Sequence, residues 1–97
     1  MTHYRRVEWH HNFDDEPVTL LSEVGDFGVE TRKIEIYRDG RADIADKFMS
    51  TGSTMLSERP LPSVEEIEDQ PEFTPSLISR GEFEEAWERA TTNRSVR

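Results

Sequence analysis

"VETRKIEIYRDGRADIADKF", residues 29–48, is the stretch on which the fold turns. Ile34 and Ile36 fall on one side of an extended chain, and Lys33, Glu35 and Tyr37 on the other. After "RDGR" the alternation resumes, with Ala42, Ile44 and Phe48 in register. A period of two marks a strand with one face buried, because successive side chains point to opposite sides. An Asp-Gly pair between two such runs is a strong hairpin signal, since glycine supplies the positive φ that the turn needs.

Upstream, two further segments alternate. "HYRRVEWHH", residues 3–11, sets Val7, Trp9 and His11 against Arg6, Glu8 and His10. "PVTLLSEVG", residues 17–25, places Val18, Leu20 and Val24 on one parity. The links "NFDDEP" and "GDFG" are made of turn formers, and links this short join antiparallel neighbours. Downstream, "MSTGSTMLSERPLP" at 49–62 reads as a loop. Ser63 with Glu66, and Ser79 with Glu82, each match a capping box that starts a helix. Pro71 ends the first helix early. The second is predicted over Arg80–Thr91, with Phe83, Ala86, Trp87 and Ala90 along one stripe. The expected fold is α+β, a four-stranded antiparallel meander with two C-terminal helices packed on one face. It forms one domain over residues 1–91, followed by a flexible tail at 92–97.

Composition narrows the function classes. In 97 residues, 33% are hydrophobic and 34% charged, so a single thin core is expected, built on two Trp, two Tyr and five Phe. Without cysteine the chain has no disulfide and no thiolate metal site. No apolar run resembles a signal peptide or a membrane span, so a soluble, cytoplasmic, bacterial-type protein is expected. The net charge is −9, and residues 63–88 hold nine acids against the single base Arg80. That distribution disfavours direct nucleic-acid binding and favours a basic protein partner.

Three regions invite a chemical reading. "WHHNFDDEP", residues 9–17, pairs two histidines with three acids. On a strand His10 and His11 point opposite ways and cannot chelate one ion, and "NFDDE" lacks a calcium loop's alternating ligands and glycine. No metal and no cofactor are expected. A second region is the charged sheet face, Arg6, Glu8 and His10 beside Lys33, Glu35 and Tyr37. It is either a solvated set of ion pairs or a binding surface centred on Tyr37. The third is the acidic segment, either a solvated helix face or an attractor for a basic surface. "STGST" lacks the lysine and spacing of a phosphate-binding loop, and no nucleophile elbow occurs.

"VEWHHNFDDEPVTLLSEV", "ETRKIEIYRDG", "PLPSVEEIEDQPEF" and "ISRGEFEEAW" together resemble a family of small uncharacterised bacterial proteins, a domain of unknown function common in actinobacteria. The resemblance spans roughly residues 4–88 and implies a stand-alone domain without an assigned activity. In type, though not in motif, the chain is also similar to toxin-immunity proteins.

The leading expectation is a non-enzymatic acidic binding protein of the immunity or inhibitor kind, docking on a basic, nuclease-like partner. Its contact residues would be Glu65, Glu66, Glu68, Asp69 and Glu72, with Glu35 and Tyr37 from the sheet. The competing class is a small-molecule binder or enzyme with His10, Glu35 and Arg38 at a sheet-edge pocket. The oligomeric state is left open by these residues.

Overall fold

The computed structural model describes residues 1–95, and the side chains of residues 1–92. It consists of one antiparallel sheet, a short helix and a long one. The strands are β1 (His3–Trp9), β2 (Thr19–Val24), β3 (Glu30–Ile36), β4 (Ala42–Asp46) and β5 (Phe73–Ile78), in the order β4-β3-β2-β1-β5. The helices are α1 (Val64–Glu68) and α2 (Arg80–Ser95).

The four-strand expectation is therefore corrected to five. The missed strand, "FTPSLI", carries Pro75 in its middle, which argues against a central strand because proline cannot donate to a ladder. Its position explains the tolerance. The His10 amide donates to the Glu72 carbonyl, so by alternation Thr74, Ser76 and Ile78 turn their backbone toward β1. Phe73, Pro75 and Leu77 face the open edge, where no donor is required.

The hairpin at the centre of the sequence forms as the Asp-Gly signal predicts. The Gly40 amide donates to the Tyr37 carbonyl at 2.9 Å and Gly40 adopts φ +91, a left-handed residue after a tight turn. Register places Ile34 opposite both Leu21 and Ile44, while Glu35 lies opposite Leu20 and Asp43.

One sheet face is covered by α2. Phe83, 0% exposed, meets Leu21, Ile34 and Ile44, and Ala86 and Ala90 let the helix approach closely. Tyr4, Ile36, Ala42, Ile78 and Trp87 pack around this cluster. A capping box on Ser79 and Glu82 starts the helix. It continues past the predicted end at Thr91 to Ser95, and the last two residues of the tail expected at 92–97 lie outside the described residues.

The second face is covered by the irregular chain from 49 to 62 and by α1. This divides the charged face expected from the sequence. Arg6 pairs across to Leu21 and so sits on the α2 side, whereas Lys33 and Glu35 sit on the loop side with Val7 and Leu20. The two helices also lie in different places, since α1 packs against β5 and the loop side rather than beside α2 on one face.

Candidate functional site

The loop-covered face carries an unusual density of buried polar groups. Arg5 is 6% exposed and Glu30 3%, and Ser22, Asp43 and Thr54 are buried with them. An irregular loop leaves some of its backbone groups without a partner of its own, and something else must pair them. Here the sheet's side chains do it. Arg5 Nη1 donates to the Pro62 carbonyl, and Lys33 Nζ donates to the Met55 carbonyl at 3.0 Å. Glu30 accepts the Ser57 amide at 2.8 Å and the Ser22 hydroxyl at 2.7 Å, with Lys33 Nζ 3.4 Å away. Thr54 donates its hydroxyl to Glu35, and Thr51 donates to Asp43 at 3.0 Å. Among the described residues no buried side-chain polar atom lacks a partner.

Between this network and α1 lies a cleft of about 220 Å³. Val7, Leu20, Leu61, Ile67 and Phe73 form apolar walls, with Arg5, Ser22, Glu30 and Lys33 on the sheet side. Arg5 Nε donates to His3 Nε2 at 3.0 Å, which requires a neutral imidazole. Burial, reinforced by the Arg5 charge, pushes the His3 pKa down. Burial also lowers the Arg5 pKa, and Glu30 and Glu65 oppose that shift.

Helix α1 holds the acids. Ser63 accepts the Glu66 amide at 3.1 Å and the Glu66 carboxylate accepts the Ser63 amide at 2.9 Å. These bonds to Ser63 hold the Glu66 pKa down. Ile67 turns into the cleft, while Glu65, Glu66, Glu68, Asp69 and Glu72 are exposed. No ion pair engages any of these five among the described residues, whereas Glu8, Glu23, Glu30 and Glu84 are each paired with a cation. Arg32 bridges Glu23 and Glu84, both at 2.7 Å, and its hydrogen bonds hold both carboxyls below their usual range.

The remaining sequence candidates are dispersed. Tyr37, expected at the centre of an exposed surface, is only 7% exposed and lies under the Arg41 guanidinium, 4.2 Å from its ring centroid. Burial raises its pKa. Glu35 is held under the loop by Thr54, away from the acids of α1. His10 contacts Thr74 Oγ1 at 2.7 Å beside β5, and Arg38 donates to the His11 carbonyl at 2.9 Å. The three groups of the ligand-binding alternative, His10, Glu35 and Arg38, do not converge on one cavity. His11 accepts the Phe13 amide on Nδ1 at 2.9 Å, so its Nε2 carries the proton and donates to Pro17 O at 2.8 Å. It locks the turn after β1. No cluster of three metal-ligating side chains occurs among the described residues.

Sequence reading missed Arg5, Ser22 and Glu30. A signal existed in the polar residues of the central strands, but their partner is a loop whose path the sequence does not disclose.

These features define a small α+β domain with a polar-floored cleft and an acidic corner. The family model described as a domain of unknown function, DUF6881, matches residues 3–92, so the chain belongs to that family. No curated protein and no solved structure matches the chain. No helix among the described residues is long and apolar enough to cross a membrane.

Proposed function

We propose that this domain is a non-enzymatic protein-binding module that docks a basic partner through the corner formed by α1 and the turn into β5. The observation that carries the reading is the density of carboxylates at this corner: Glu65, Glu68, Asp69 and Glu72 are exposed within one short segment, and none joins an ion pair among the described residues. Unscreened like charges on one short segment create a negative field that steers and orients a cationic surface. Glu66 contributes to the field, but its first task is the cap. Glu35 and Tyr37 drop out of the proposed surface because they are covered. An inhibitor or immunity role against a nuclease-like target is the particular form of this reading, since a nucleic-acid-binding surface must be basic.

The test is affinity capture from the organism that makes the protein, with the wild-type chain beside a chain carrying E65Q, E68Q, D69N and E72Q. The expected outcome is a basic protein that elutes as salt is raised and is lost from the neutralised chain. Capture of no salt-eluted protein, or equal retention by both chains, overturns the proposal.

A further inference from the structure

We infer that the cleft beneath α1 is an anchor slot for one apolar side chain of a partner segment flanked by lysine or arginine. The inference rests on the acidic-corner reading and specifies what that corner recognises.

Size comes first. At about 220 Å³ the cleft falls below the roughly 300–1,000 Å³ of pockets that enclose whole small molecules, and it suits a single side chain. Chemistry points the same way. Val7, Leu20, Leu61, Ile67 and Phe73 offer an apolar lining. The charged groups behind them are already engaged: Arg5 with His3 and Pro62, Lys33 with Met55 and Glu30, Glu30 with Ser22 and Ser57. They need no counter-charge from a ligand and brace the wall instead.

Charge complementarity selects the flanks. α1 turns Ile67 into the slot, while Glu65, Glu68 and Asp69 of the same segment are exposed. A small anion would meet the negative field of that segment, whereas a segment with basic residues beside an apolar one matches both the wall and the neighbouring acids. Strand addition at the adjoining edge is the obvious other mode of peptide capture. The outward row of β5 opposes it. The Phe73 amide is taken by the Gln70 carbonyl at 3.0 Å, and Pro75 has no amide to give. Recognition therefore proceeds through side chains.

The experiment titrates the full chain with three capped five-residue peptides, followed by calorimetry and amide chemical shifts. In one, leucine sits between two pairs of lysines; in the second, alanine replaces the leucine; in the third, glutamates replace the lysines. The lysine–leucine peptide is expected to bind at least about tenfold more tightly than its alanine counterpart, as the lost apolar burial requires. It should shift the amides of Leu20, Ile67 and Phe73 and lose that advantage in the slot-filling variant Leu20→Phe. Equal, salt-sensitive binding of both lysine peptides overturns the slot and leaves the acidic corner standing. Equal binding of the lysine–leucine and glutamate–leucine peptides overturns the charge selection and, with it, the acidic-corner reading. Binding of none overturns both. The shift map on the wild-type chain decides the slot even if Leu20→Phe folds poorly.

Discussion

The two faces of the sheet are built on opposite principles. On the α2 face a helix satisfies its own backbone, so the sheet has only to supply apolar surface, and Leu21, Ile34 and Ile44 meet Phe83 in a dry contact. On the other face the cover is an irregular chain with backbone groups left open. Arg5, Glu30 and Lys33 meet that need, while Glu35 and Asp43 hold the Thr54 and Thr51 hydroxyls of the same loop. A charged residue on a strand therefore need not mark a solvated face. It can mark the place where a loop lies down.

The comparison breaks most visibly at Phe83. Phe83→Ala empties the centre of the apolar face and should cost about 3–5 kcal/mol, read as a large fall in the urea midpoint. If the loop face carried global stability instead, the fall would be small. Next is Glu30→Ala, which strips Lys33, Ser22 and the Ser57 amide of their shared acceptor and should cost about 3 kcal/mol. Hydrogen exchange should accelerate first in residues 49–62 while the amides of β2 and β3 stay protected. Uniform acceleration would show that the two covers are one cooperative unit.

Arg32 sharpens the contrast from the other side, as the ion-paired residue that packs over the rings of Phe83 and Trp87, 4.9 and 5.0 Å from their centroids. Arg32→Met should remove about 2 kcal/mol through lost charged hydrogen bonds. In the wild type, Glu23 and Glu84 have folded pKa values held below their unfolded ones, so their contribution is complete above the ordinary glutamate pKa of about 4.3. It is lost as pH falls through the folded values. A urea midpoint that declines below that pH in the wild type, and declines less in Arg32→Met, is the expected result. The smallest effect is at Gly52, which adopts φ +57 with any added Cβ 2.5 Å from Asp43 Oδ2. Gly52→Ala should cost about 1–2 kcal/mol, measured by the same denaturation.

Much of this architecture could be read in advance from local pattern. The Asp39-Gly40 turn, the Ser63 and Ser79 caps and the Phe83 stripe each declare themselves within a few residues. The strand "FTPSLI" did not, because Pro75 is acceptable only on an edge, and being an edge is a property of the whole sheet. The candidate site was half legible. The acids of α1 stand in sequence as a run, whereas the cleft beside them joins residues as distant as Arg5 and Phe73. Tyr37 misled for a related reason: its alternation with Ile36 says that it faces away from the helix, but not that it is buried, with the Arg41 guanidinium over its ring.

By itself the amino-acid sequence determined strands β1 to β4 and where both helices begin, because caps, turns and alternation act over a handful of residues. Only the tertiary structure decided which acids are neutralised and which are free, and that a cleft opens beneath α1. Charge pairing and cavity shape depend on distances between segments far apart in the chain, and those are set when the sheet and its two covers close together.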